Sequence, residues 1–225
     1  MLKKFPATDF AFCHNLITAF RGAFGLPINT ITEHTSISLH DSLHLEELIE
    51  LAESTNIYDQ LDALGDLVYV IFGRIVESGI KDHHTAVKLF PEYLSWLSYI
   101  NAVADRLVEK HFQACNQIAG YEIYPLDKAP ELFMIVFQAI HDSNMTKLCK
   151  AEEVEATQKY YLDKKIKTTA VLTRVGLHAI KVVEDNSGQT LPFGKVLKNI
   201  NYKPVQIYEV LEAYCSEIES PRQIK

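Results

Sequence analysis

Apolar residues recur at helical spacing along most of the chain, and this pattern predicts a mainly α-helical protein. The predicted helices cover about residues 8–24, 41–53, 57–77, 84–117 (interrupted at Pro91), 129–141, 152–165 and 205–218. The stretch 28–40 is polar and rich in Thr and Ser, which predicts a loop. These segments together predict a helical bundle around one core.

The pattern changes near residue 166. Residues 168–175 and 178–183 are rich in β-branched side chains, with Gly176 between them, which predicts two strands. Residues 190–197 are a candidate for a third strand. We therefore expect a single domain over residues 1–225, in which a small β appendage at about 166–200, a hairpin or a three-stranded segment, joins the bundle.

Composition narrows the classes of partner. The chain has 225 residues, a net charge of −7 and a pI near 5.7, which argue against binding nucleic acid or an anionic membrane. No apolar run reaches the length that spans a bilayer. Four scattered cysteines lack the C-x-x-C spacing, and no apolar signal segment follows the basic N-terminus. These features predict a cytoplasmic protein with reduced thiols.

Glutamates form a stripe on the second predicted helix. Glu46 and Glu50 are four residues apart and Glu47 and Glu50 three apart, so the three side chains share one helix face. On its own such a stripe is typical of a solvated surface.

Two aspartates change this interpretation, because they lie in an otherwise apolar helix. Asp62 and Asp66 are also four residues apart, and a helix that is apolar all round is a buried one. Asp62 could be a helix N-cap, whereas Asp66 lies a full turn further in. A buried carboxylate needs a compensating charge, and for a cluster of oxygen ligands the simplest is Mg²⁺.

Polar residues also follow two later segments. Asn144 and Lys147 come after the apolar helix 129–141, and Lys195 and Lys198 follow Gly194. Lysines spaced in this way can hold phosphate groups as point charges. A polar helix end and a basic turn are the structural alternatives for the two segments.

The order of these motifs resembles the all-α nucleoside triphosphate pyrophosphohydrolase superfamily, the MazG-like proteins, and most of all its phosphoribosyl-ATP pyrophosphohydrolase-like branch. The motifs that carry the resemblance lie at residues 24–27, 46–50, 62–70, 141–147 and 194–204. One departure is Ala63, which stands where the superfamily usually has a glutamate. Asp62, one residue earlier, is the expected substitute.

The resemblance implies hydrolysis of a nucleoside triphosphate between its α and β phosphates, giving a monophosphate and pyrophosphate. It implies that Glu47, Glu50, Asp62 and Asp66 hold Mg²⁺, for which Mn²⁺ can substitute. Glu47 and the neighbouring Glu46 are the candidate catalytic residues, with Glu46 as outer ligand or general base.

The same resemblance suggests how the substrate is held. Lys147, Lys195 and Lys198 would offset the charge of the triphosphate, Asn144 would bond to its sugar or phosphate, and Tyr202 would stack on its base. It also implies a homodimer or a homotetramer. The protein would lie in the cytoplasm of a bacterium or, if it comes from a phage, in the cytoplasm of the host.

Two other functions stay open on the sequence alone. One is phosphoribosyl-ATP hydrolysis, although the extra segments exceed what a compact pathway enzyme needs. The other is a helical module that binds nucleotide without turnover, which the departure at Ala63 favours.

Overall fold

A computed structural model of the chain describes residues 7–30, 34–90, 95 and 129–219. Within these ranges the chain forms a mainly helical bundle with a small antiparallel sheet. The elements are α1 (Ala7–Ala23), α2 (His34–Glu53), α3 (Ile57–Glu77), α4 (His83–Leu89), α5 (Ala129–Met145), α6 (Ala151–Asp163), β1 (Ile166–Leu172), β2 (His178–Asp185) and α7 (Ile207–Glu219). The predicted fold class, mainly α with a small β appendage, is confirmed.

Helix α3 is the centre of the bundle. It begins at a well-formed N-cap, where the side-chain oxygen of Asn56 accepts hydrogen bonds from the backbone N–H groups of Tyr58 and Asp59, at 2.9 and 3.0 Å. Helices α1, α2, α5 and α7 all pack against it. Its apolar residues contribute more to the main core than those of any other helix: Leu61, Leu64, Leu67, Val68, Ile71, Phe72, Ile75 and Val76 are buried.

A glycine lets α3 and α5 approach closely. A Cβ atom added at Gly65 would lie 2.1 Å from Cδ1 of Ile140, far inside van der Waals contact. A residue with a Cβ atom fits there only if the end of the Ile140 side chain rotates away or α5 moves. The contact matters for the site, because Gly65 lies directly beside Asp66 and Ile140 lies one helical turn before Asn144.

The β appendage is a two-stranded hairpin. Strands β1 and β2 are antiparallel, and the turn between them includes Gly176 at a φ of +78°, which favours glycine. Helix α6 packs on the hairpin and closes a second, smaller core that includes Ile166, Ile180 and Leu197.

Several boundaries differ from the prediction. The third strand over 190–197 does not form, since only an isolated bridge joins Lys181 to Val196. Helix α2 begins at His34 rather than at 41, so the predicted loop 28–40 is wrong in its second half. Helix α5 runs to Met145, four residues beyond the predicted end. Of the predicted helix 84–117, the structure describes the part up to Phe90 and residue 95; the rest lies outside the described residues.

Candidate active site

The acidic residues come together where α2 and α3 run antiparallel. The short connection at 54–56 turns the chain back, so the C-terminal half of α2 lies along the N-terminal half of α3. The Glu47 carboxylate interacts electrostatically with Asp66, and the Asp62 carboxylate with Glu50. Asp62 is not a helix cap, because Asn56 caps α3 and Asp62 lies inside the helix.

Burial and mutual repulsion raise the pKa values of four carboxyl groups of the cluster. Burial, and after it the charge of Asp66, raises the pKa of Glu47 to about 9. The same two causes raise the pKa of Asp62 to about 7 and also raise the pKa of Glu50. The pKa of Asp66 is raised mainly by burial, although the nearby Lys147 opposes the shift. Like charges held in a desolvated groove disfavour ionisation of each other.

Two carboxylate oxygens of the cluster are left without partners. Oε2 of Glu47 and Oδ1 of Asp62 are buried atoms for which the structure gives no hydrogen bond. A buried acceptor without a partner is costly and calls for a ligand that supplies positive charge or a donor. Carboxylate oxygens are the ligands that Mg²⁺ prefers, so the chemistry of this donor set fits a hard divalent cation.

The carboxylates are neighbours without forming a closed cage. Within residues 7–30, 34–90 and 129–219, no group of three acidic, histidine or cysteine side chains converges closely enough to enclose an ion. The positions of two residues on α3 account for Ala63, which stands where the superfamily usually has a glutamate. Ala63 is buried in the core, 3% exposed, while Asp62 shares the helix face of Asp66.

Three lysines approach the acidic cluster from outside the α2–α3 pair. The ammonium group of Lys195 forms a salt bridge with Oε2 of Glu46, which joins the β appendage to α2. Lys147, just after α5, lies close enough to Asp66 to interact with it, and burial lowers the pKa of its ammonium group. Lys198 is exposed and acts on Glu50 and Asp66 through its charge.

The remaining predicted substrate residues have contacts within the protein. The Nδ2 group of Asn144 donates a long hydrogen bond of 3.5 Å to Oδ1 of Asp66. The hydroxyl of Tyr202 lies 2.9 Å from Oγ of Ser143, and the ammonium of Lys198 stands 4.7 Å from the centre of the Tyr202 ring. One face of the ring is therefore covered by Lys198, and the hydroxyl is bonded within the protein. The structure brings Asn144 and the lysines to the acids, whereas Tyr202 contacts Ser143 and Lys198.

A second set of polar side chains is buried at the other end of the α2–α3 contact, and no local sequence pattern predicted it. The carboxylate Oε2 of Glu77 accepts hydrogen bonds from Nη2 of Arg21 at 2.5 Å and from Nε2 of His40 at 2.9 Å. All three side chains are buried, 2–6% exposed. Gly73 leaves room for them, since its missing Cβ would lie 3.4 Å from His40.

Other contributors also escaped the sequence interpretation. Asn199 and Ser143 are buried polar residues that bond the loop carrying the lysines to the end of α5. The signal that could have found Ser143 is its place between His141 and Asn144 inside a predicted motif. Asn199 had only its position next to Lys198.

A well-formed cavity lies apart from the acids. It has a volume of about 370 Å³ and is lined by His44, Leu48, Val70, Arg74 and Phe90, among others. None of the five carboxylates of the cluster lines it. In the part of the chain that the structure describes, no helix is long and apolar enough to cross a bilayer.

In a comparison with known proteins, a family model matches the part of the chain that carries the acids. The sequence model of the phosphoribosyl-ATP pyrophosphohydrolase family matches residues 19–88, which include all five acids but none of the three lysines. An uncharacterized protein of Acanthamoeba polyphaga mimivirus is 25% identical over 94% of this chain and 100% of its own length. No solved structure matches the chain. The resemblance predicted from the motifs is thus confirmed over residues 19–88, which match the phosphoribosyl-ATP pyrophosphohydrolase family, one of the MazG-like all-α nucleoside triphosphate pyrophosphohydrolase families.

Proposed function

We propose that the protein is a Mg²⁺-dependent pyrophosphohydrolase that cleaves a nucleoside or deoxynucleoside triphosphate between the α and β phosphates, as in the housekeeping of a nucleotide pool. The family domain supports a nucleotide pyrophosphohydrolase-type activity. The observation that carries the finer proposal is the cluster of five carboxylates, two of them with an unpartnered buried oxygen, facing three lysines. A cluster of acids with lysines next to it suits a cation and a polyphosphate bound together.

Each part of the cluster has a role in this proposal. Glu47, Glu50, Asp62 and Asp66 would hold Mg²⁺, or Mn²⁺ in its place. When bound, the ion would neutralise charge on the phosphate oxygens and lower the pKa of a water molecule.

In this proposal Glu46 acts on the attacking water. It is the most accessible predicted catalytic acid, with a side chain 42% exposed, and Lys195 is its partner. A triphosphate would compete for the Lys195 ammonium and so release the Glu46 carboxylate. Glu46 would then accept the proton of the water as general base, while Glu47 on the same helix helps hold the metal.

The lysines and Asn144 would serve the substrate. Lys147, Lys195 and Lys198 all act on the acids through their charge, so they can neutralise a polyphosphate bound next to the metal ligands. The amide of Asn144 is a donor that can turn from Asp66 to a phosphate or sugar oxygen.

Phosphoribosyl-ATP is the alternative substrate, because the matching family carries its name. A nucleotide-binding module without turnover is the alternative of another class. Pyrophosphate release from a panel of canonical and modified nucleotides, with phosphoribosyl-ATP included, separates the three. We expect release that needs Mg²⁺, stops with EDTA and leaves a monophosphate. Release from phosphoribosyl-ATP alone would select the first alternative, and binding without release the second.

We also propose that the chain assembles into a homodimer or homotetramer. The outer face of α2 and the end of α4 expose large apolar side chains, with Leu45 57%, Ile49 48% and Leu89 57% accessible. Apolar groups exposed side by side favour association. Light scattering of the purified protein would measure the mass, and a monomer at all concentrations would reject the assembly.

A further inference from the structure

The lysines that reach the acidic cluster from the β appendage lie on a segment without helix or strand. Residues 191–204, which we call the lysine loop, contain only turns and one isolated bridge. A loop backbone leaves many conformations open, and a lysine side chain adds more. Contacts from neighbouring elements must therefore determine where Lys195 and Lys198 lie relative to Lys147.

One buried side chain makes the main contact. Nδ2 of Asn199 donates hydrogen bonds to the backbone carbonyls of Thr146 and Leu148, at 2.8 and 2.6 Å. Thr146 and Leu148 are the two chain neighbours of Lys147, and Asn199 directly follows Lys198. A single amide group thus fixes the backbone on both sides of one lysine against the backbone of another, about fifty residues later in the chain.

The other atoms of Asn199 are also engaged. Its Oδ1 accepts a hydrogen bond from the backbone N–H of Asn201 at 2.5 Å, and the side chain is only 7% exposed. From the other direction, the hydroxyl of Tyr161 on α6 donates to the carbonyl of Lys198 at 2.8 Å. The backbone at Lys198 is therefore held by α6 on one side and through Asn199 by the end of α5 on the other.

We propose that Asn199 is a positioning residue, which sets the separation of Lys147 and Lys198 and thereby the affinity of the site for a chain of phosphates. Tyr161 assists it at the carbonyl of Lys198. The inference rests on the proposed function for the identity of the ligand, a polyphosphate. Buried amides that satisfy several backbone groups are suited to this task, because no water can replace all of their bonds at once.

The test is a double-mutant cycle read by binding of inorganic tripolyphosphate in the presence of Mg²⁺. Asn199→Ala and Lys198→Ala are each expected to weaken binding by roughly tenfold, since each removes or misplaces one charge. If Asn199 acts through Lys198, the double variant binds about as weakly as Lys198→Ala alone. Asn201→Ala is the matched control, because the Asn201 amide bonds to the exposed Glu153, and its binding should stay unchanged.

The cycle separates positioning from a general structural role. If Asn199→Ala weakens tripolyphosphate binding by the same factor with and without the Lys198 side chain, the proposal is wrong, because the loss of affinity does not depend on the lysine. Should Asn199→Ala fail to fold, Tyr161→Phe replaces it in the same cycle, with a loss of roughly threefold that must vanish in the Lys198→Ala background.

The same measurements distinguish this inference from the proposed function. Tripolyphosphate binding with the expected coupling, but no pyrophosphate release from any nucleotide, would reject the hydrolase and retain the positioning role. Turnover without coupling would retain the hydrolase and reject the positioning role. No tripolyphosphate binding by the unmodified protein would overturn the positioning role.

Discussion

The two ends of the α2–α3 contact both bury carboxylates, but at only one end does the protein give every buried carboxylate a partner. At one end Glu77 accepts hydrogen bonds from Arg21 and His40, at 2.5 and 2.9 Å. At the other end Glu47 and Asp62 each keep a buried oxygen without a partner. The same pair of helices therefore contains one balanced and one unbalanced set of charges.

This difference separates a structural from a functional use of buried acids. A buried carboxylate whose counter-ion belongs to the protein holds elements together, and removing one partner is destabilising. A cluster of carboxylates short of positive charge costs stability and is kept where an outside cation completes it. The burial of an acid alone does not tell these cases apart, whereas its partners do.

Neutralising the unbalanced end should have the largest effect on activity. Asp66→Asn and Glu50→Gln are each expected to reduce pyrophosphate release more than about a hundredfold, because each removes a predicted metal ligand. The melting temperature should stay equal or rise, since one repelling charge is gone. Near-normal turnover in either variant would show that the cluster is not the metal site.

Neutralising the balanced end should have the opposite result. Glu77→Gln leaves Arg21 buried without its counter-ion, so the free energy of unfolding should fall by roughly 3 kcal/mol or more. Turnover per folded molecule should change little. Urea unfolding measures the loss, with Glu184→Gln as the matched control: the exposed pair of Glu184 with Lys167 should contribute far less to stability. Equal losses in the two variants would contradict the comparison.

Added Mg²⁺ should stabilise the protein through one end only. At a concentration of a hundred times its Kd, a ligand specific to the folded state contributes about 2.7 kcal/mol. We expect a rise in melting temperature that Asp66→Asn abolishes and Glu77→Gln retains. The same rise in both variants would place the cation elsewhere.

The smallest expected effect is a pH dependence of stability in EDTA. The native pKa values of Asp62, about 7, and Glu47, about 9, exceed those of unfolded carboxyls, so the native state binds more protons. The free energy of unfolding should therefore decrease as pH rises from about 6.5 to 8.5. Glu47→Gln should flatten this slope, as measured by urea unfolding at several pH values. An unchanged slope would show that Glu47 is ionised in the native state.

The local sequence pattern was enough to predict the elements whose formation depends on residues close to one another in the sequence. The apolar run around Asp62 and Asp66 predicted a buried α3, and the spacing of the acids predicted which side chains share a face. The start of α2 was missed because its cause is distant: His40 lies in a polar stretch and is buried by its bond to Glu77, 37 residues later. Tertiary contact overrode the loop-like composition there.

The same limit applies to the lysine loop. Residues 190–197 contain Leu191, Val196 and Leu197, which suggested a strand, and Leu197 is indeed buried. The backbone N–H of Leu197 bonds to the carbonyl of Ile180, yet pairing stops after an isolated bridge. The side chain of Asn199 then bonds to the end of α5, and no local sequence pattern announces a partner about fifty residues away.

The close approach of α3 and α5 at Gly65 affects which substitutions the site can tolerate. Any larger residue would have to displace the end of the Ile140 side chain, either by rotating it or by moving α5 and with it Asn144 from Asp66. A library of random substitutions selected for turnover should therefore tolerate change at this position as poorly as at the acids themselves. The missing side chain at Gly65 would then serve the reaction through the contact that it allows between α3 and α5.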